Sequence, residues 1–133
     1  MSTLPYVTAF YAALIGLLAA ALTVNVILKR VALKIDVGDG GNLVMIMAIR
    51  THANLVQHAP LALILIGWAE MGGTSKALIH VLGIALIVAR VLSAYGLLTN
   101  PLQSFGRQSG AGITVLTLLG ASILILLRIA GIM

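Results

Sequence analysis

Apolar residues dominate four long segments, at about 5–29, 42–71, 75–98 and 107–133, and polar residues gather between them. The first interval carries Asp36-Val37-Gly38-Asp39-Gly40-Gly41-Asn42, the second is the short turn Gly72-Gly73-Thr74, and the third runs from Thr99 to Gly106 and contains Asn100-Pro101. A helix needs about 20 apolar residues to cross a hydrocarbon layer roughly 30 Å thick, and every segment is long enough. The pattern predicts an all-α transmembrane four-helix bundle that fills residues 1–133 as a single domain. Gly16, Ala19, Ala20 and Ala21 in the first segment are small enough to let helices approach closely in lipid. That segment does not read as a cleaved leader. No basic stretch precedes it, no small-residue cleavage site ends it, and Lys29, Arg30 and Lys34 follow it as they would a retained anchor. The glycines and aspartates of the first interval suit turns and helix capping. With neither the lysine of a phosphate-binding loop nor the ligand spacing of a calcium loop, that interval is read as a plain connection.

Composition strengthens the membrane reading. Of 133 residues, 61% are hydrophobic and 8% charged, whereas a soluble domain carries about 25% charged residues. The net charge of +5 does not indicate nucleic acid, because the basic residues are scattered and form no stripe. They serve better as topology signals. Lys29, Arg30 and Lys34 mark the first connection and Arg107 the third, while Lys76 and Arg128 mark the other side. The positive-inside rule then puts connections one and three in the cytoplasm and both termini outside it. With no cysteine in the chain, a disulfide, a thiolate nucleophile and a thiolate-bound metal are all excluded.

The second segment is unusual, because it carries Arg50, His52, Asn54, Gln57 and His58 within an otherwise apolar helix. Such groups are costly against lipid and are kept where they face a bundle, a partner or a watery cavity. At about 100° per residue, Arg50, Asn54 and Gln57 fall in a stripe roughly 60° wide, with His58 at its edge and His52 pointing away. Pro60 is expected to bend the helix by removing a backbone hydrogen bond. One reading makes the stripe hydrogen-bonded glue between helices. The clustering of arginine, asparagine and glutamine favours a binding site. The third segment adds Arg90, with Ser93 and Tyr95 beyond it. Against these cations the chain holds only Asp36, Asp39 and Glu70, the first two in a connection and the third at the far end of helix two. A cavity so short of anions suits an anionic ligand, such as a carboxylate; alternatively, Arg50 and Arg90 snorkel to lipid phosphates. His52, His58 and His80 have no carboxylate at metal-site spacing, so no metal is expected. No serine, histidine and aspartate set can be picked out either. Any chemistry must act by positioning and electrostatics on a group that the ligand brings.

The segment Arg50-Thr51-His52-Ala53-Asn54-Leu55-Val56-Gln57-His58-Ala59-Pro60 resembles the helix-two signature of the MAPEG family, the membrane-associated proteins in eicosanoid and glutathione metabolism. Gly38-Asp39-Gly40-Gly41, Ala48-Ile49-Arg50, Arg90-Val91-Leu92 with Tyr95-Gly96, and Arg107-Gln108-Ser109-Gly110 with Thr114 are similar to its bacterial branch. The resemblance implies a homotrimer in a bacterial inner membrane, with glutathione as co-substrate held between protomers near the cytoplasmic face. It implies a transferase or peroxidase acting on small hydrophobic electrophiles or lipid hydroperoxides that arrive from membrane lipid. Arg50 and Asn54 match ligand-contacting positions, Arg30 a basic position that helps hold a carboxylate, and Arg107 the arginine near the glutathione sulfur. Gln57, His58, Arg90 and Tyr95 complete the candidate set. Two positions depart from the family pattern: Gln57 stands where glutamate is usual, and Ser93 where eukaryotic members carry tyrosine. Tyr95, about 200° round the helix from Ser93, is no simple replacement. These departures keep two other functions open, a non-catalytic binder of another anionic amphiphile and a structural membrane trimer. A small multidrug exporter is disfavoured, because the first helix lacks a glutamate.

Overall fold

The computed structural model describes residues 4–100 and 105–132. Four helices follow one another, α1 Tyr6–Leu33, α2 Leu43–Met71, α3 Lys76–Thr99 and α4 Phe105–Ile129. At about 1.5 Å per residue each is longer than the roughly 30 Å hydrocarbon layer. α1 continues through Arg30 and Val31 and stops only where Lys34 turns into the left-handed conformation, with φ 55°. Its end is closed by bonds from the Lys34 and Ile35 amides back to Val31 and Arg30 carbonyls. Gly38, Gly40 and Gly41, all at positive φ, carry the chain round to α2. There the Asn42 side chain caps the new helix by accepting from the Val44 and Met45 amides at 2.9 and 3.2 Å. α4 ends at Ile129, ahead of Gly131 at positive φ. Pro101, inside the expected third connection, lies outside the described residues.

α2 is the central element. It shares that place with α3: each of the two packs against the other three helices, while α1 and α4 do not meet among the described residues. Its inward face presents Leu55, Ala59, Ala62, Ile66 and Ala69, spaced three and four apart, so one stripe of the helix is buried. Three of those five are alanines, which lets the neighbouring helices come close. Ile15 and Leu22 from α1, Ile79, Leu82 and Leu86 from α3 and Ala121 from α4 close the core. Gly83 of α3 is tightly placed, because the Tyr11 ring of α1 occupies the space a Cβ would need. The hydroxyl of Tyr11 lies 2.8 Å from His80 Nδ1.

The outside of the bundle is apolar. Leu17, Val24 and Ile27 of α1, Val81 and Ile84 of α3, and Leu116, Leu119 and Leu126 of α4 are all exposed. Large aliphatic side chains on three outward faces mean that lipid is the solvent. By length and composition α1, α3 and α4 qualify directly as membrane spans. α2 is as long but falls short in hydropathy, because Arg50, His52, Asn54, Gln57 and His58 lie within it. Its last turn nevertheless lies level with the start of α1. At one end Glu70 of α2 accepts from the Val7 and Thr8 amides at 2.9 and 2.7 Å and from the Thr8 hydroxyl at 2.6 Å. α1 starts after Pro5 with no side-chain cap of its own, so the Glu70 carboxylate satisfies its free amides and faces the positive end of its dipole. The fold is an all-α transmembrane four-helix bundle.

Candidate functional site

At the end of the bundle away from Glu70, the polar side of α2 meets the start of α4. Arg50, Asn54 and Gln57 stand one turn apart on α2. With Ala53, with Leu97 of α3 and with Arg107 of α4 they line one cavity of about 240 Å³. The opposite face of the same stretch points inward, with Thr51 and Leu55 buried at 1% and 3% exposure. The helical period thus separates a core face from a cavity face within a single turn. Gln57, Arg50 and Arg107 are themselves exposed, so the cavity opens outward. No carboxylate lines it. Asp36 and Asp39 lie in the first connection, and Glu70 is bound to α1 at the other end.

Arg90 stands behind this cavity and is 2% exposed. Its Nη1 donates to Asn54 Oδ1 at 2.9 Å and its Nη2 to the Gly110 carbonyl at 3.2 Å. Nη2 also donates to the Thr114 hydroxyl and, at 3.4 Å, to that of Ser93. One guanidinium therefore ties α2, α3 and α4 together through neutral acceptors. Its Nε is buried without a hydrogen-bond partner among the described residues. The bonding depends on a close crossing of α3 and α4 at Gly110, where a Cβ would run into Ser93 and the Ala89 carbonyl. Arg90 does not snorkel. It reaches the cavity only through Asn54, whose carbonyl oxygen it occupies, leaving the amide N–H groups as donors for the cavity.

The other candidates lie elsewhere. Arg30 Nη1 donates to the carbonyls of Ile35, Asp36 and Gly38 at 3.3, 3.4 and 3.0 Å, closing the first connection, and it does not line the cavity of its own chain. His58 is exposed at the edge of the stripe, its Nδ1 2.8 Å from the Asn54 carbonyl. Tyr95, 67% exposed, faces outward from α3. No cluster of metal-ligating side chains occurs among the described residues. Leu97 and Ala53, which wall the cavity, carry no chemistry in the sequence. Gly110 and Thr114 as partners of Arg90 follow from a helix crossing that no local pattern announces.

Apolar helix faces turned to lipid, with arginines beside a cavity at one end, define a small integral membrane protein. The family model described as "MAPEG family" matches residues 8–127, and the chain belongs to that family. It is 36% identical over 90 residues to the inner membrane protein YecN of Escherichia coli (strain K12), a match covering 68% of this chain and 69% of that one. The same-named protein of a second Escherichia coli strain matches equally, at 36% over 90 residues, with the same coverage.

Proposed function

We propose that this protein is a glutathione-dependent membrane transferase or peroxidase acting on hydrophobic electrophiles or lipid hydroperoxides. Family membership supports a membrane protein of the glutathione and eicosanoid kind. The observation that carries the finer reading is the set of donors round one cavity, Arg50, Arg107, Asn54 and Gln57, with no acid among them. A peptide bearing carboxylates supplies the missing negative charge, and arginine binds carboxylates through paired hydrogen bonds. Arg107 then stands where it favours the thiolate of the ligand. A free thiol ionises at about 8.5, and a nearby cation lowers that value, raising the nucleophilic fraction at neutral pH. The thiolate forms a carbon–sulfur bond to an electrophile that reaches it from lipid, and the leaving group departs with the electrons of the bond that breaks. With a hydroperoxide it takes the terminal oxygen as the O–O bond breaks, giving the alcohol after protonation and a glutathione sulfenic acid. A second glutathione converts the sulfenic acid to the disulfide and water.

The reading includes a homotrimer. Arg30 is held near the end of α1, outside its own chain's cavity, and the trimer reading gives it a role at a neighbour's. It also includes an orientation with the cavity at the cytoplasmic end of a bacterial inner-membrane protein. A second reading, binding of another anionic amphiphile without turnover, draws support from Gln57, which brings no charge to meet a ligand's ammonium group. A purely structural trimer draws less support, because both terminal nitrogens of Arg90 find their acceptors within one chain.

Calorimetric titration of glutathione into the detergent-solubilised protein, beside single-turnover kinetics with a hydrophobic electrophile, tests the proposal. Arg50→Ala is expected to abolish binding. Arg107→Ala is expected to keep affinity within about threefold while lowering turnover by about tenfold or more. Wild-type protein that is folded but neither binds nor turns over glutathione would move the assignment to the second reading.

A further inference from the structure

The polar lining of the arginine cavity is chemically one-sided, and that limits the ligand it can take. Its two charged side chains, Arg50 and Arg107, are both cations, and a third cation, Arg90, stands behind Asn54. The neutral polar groups are Asn54 and Gln57. Arg90 occupies the side-chain oxygen of Asn54 at 2.9 Å, so Asn54 faces the cavity as a donor. Its backbone carbonyl is met as well, by His58 Nδ1 at 2.8 Å and Arg90 Nη1 at 3.4 Å. The Gln57 amide makes no bond to another described residue. Its oxygen is the one side-chain acceptor left among the residues that line the cavity.

No acid offsets these cations. The whole chain has three, Asp36, Asp39 and Glu70. Glu70 is engaged by Val7 and Thr8 at the opposite end of the bundle. Asp36 and Asp39 belong to the first connection and do not line the cavity of their own chain. Arg30, to which the trimer reading gives a role at a neighbour's cavity, adds to the excess of positive charge. A free ammonium group brings three N–H donors and a positive charge of its own. In this cavity it would meet one neutral oxygen and two guanidinium groups, and like charges so placed weaken binding. Carboxylates, a thiolate and amide carbonyls all suit the same lining.

We infer, resting on the proposed reading of a carboxylate-bearing thiol in this cavity, that the site selects a thiol peptide with no free amino group. The amine is absent or acylated, and the neutral Gln57 sets the choice. Glutathione itself then has its carboxylates and sulfur matched by the arginines and its ammonium unmatched.

Calorimetric titration of two peptides into the folded, detergent-solubilised protein separates the cases. One is glutathione. The other is glutaryl-cysteinylglycine, which is glutathione without its amine and keeps both carboxylates and the thiol. Wild type is expected to bind the glutaryl peptide at least about tenfold more tightly. Gln57→Glu, which supplies the missing negative charge, should reverse the order, and the neutral Gln57→Met should keep the preference within about threefold. Equal affinities, or tighter binding of glutathione by wild type, overturn the inference and leave the proposed function standing. An advantage of glutathione that disappears in Asp39→Asn would trace the missing acid to a neighbour's first connection. A preference for the glutaryl peptide that survives Gln57→Glu overturns the role of Gln57. Folded wild type that binds neither peptide overturns the inference and the proposed function together.

Discussion

A buried arginine with no counter-ion is an uncomfortable residue, and the way Arg90 is accommodated decides what Asn54 can do. Its bond to Asn54 Oδ1 fixes the amide so that the N–H side remains for the cavity, alongside Arg50 and Arg107. Asn54→Asp separates the two jobs of this residue. The carboxylate keeps an acceptor for Arg90 and gives it the missing negative charge, so stability should hold or rise by about 1–2 kcal/mol. Towards the cavity, however, it exchanges a donor for a negative charge, and glutathione affinity should fall by about tenfold or more. Asn54→Leu removes the acceptor instead and should cost about 1–3 kcal/mol of stability. Thermal unfolding in detergent beside ligand titration reads both effects. An Asn54→Asp protein that bound glutathione as wild type does would break the proposed orientation of the amide. Of this arrangement the α2 part was legible, since Arg50, Asn54 and Gln57 share a face by helical period alone. That Arg90 would turn to Asn54, Gly110 and Thr114 was not, because its partners depend on how three helices cross.

Among the elements, the four helices were legible because the bilayer sets a minimum length that apolar runs must meet. Their ends were less so. α1 continues past Lys29 and Arg30 to Leu33, because charged residues with long aliphatic stems are good helix formers and a change to polarity does not stop a helix. A left-handed residue does. The capping role of Glu70 was invisible for another reason: it needs α2 to end level with the start of α1, which is a fact of packing. The capping makes a clear expectation. Glu70→Ala leaves the Val7 and Thr8 amides without their acceptor and should destabilise the protein by about 1–2 kcal/mol. Faster hydrogen exchange should be confined to the first turn of α1. Glu70→Gln keeps one acceptor oxygen and loses the charge, so its effect should be smaller. Uniform loss of protection across α1 in Glu70→Ala would mean that the carboxylate holds the helix in place and does not merely cap its end.

At the scale of the whole molecule, charge is distributed unequally between the two ends of the bundle, and the proposed orientation rests on that asymmetry. One end gathers Lys29, Arg30, Lys34, Arg50 and Arg107, and the other Lys76 and Arg128. Since basic residues near short connections are retained on the cytoplasmic side, the proposed orientation puts the cavity end there, within reach of a water-soluble thiol peptide. The absence of cysteine makes this directly measurable, because any introduced thiol is the only one. Val37 in the first connection is 88% exposed and Ser75 before α3 is also exposed, so each accepts a cysteine without disturbing the core. In intact cells with a permeabilised outer membrane, a membrane-impermeant maleimide should label Ser75→Cys and leave Val37→Cys unmodified until the inner membrane is opened. The reverse pattern would put the arginine-lined cavity on the periplasmic side. On the proposed function, glutathione would then have to be supplied outside the cytoplasm.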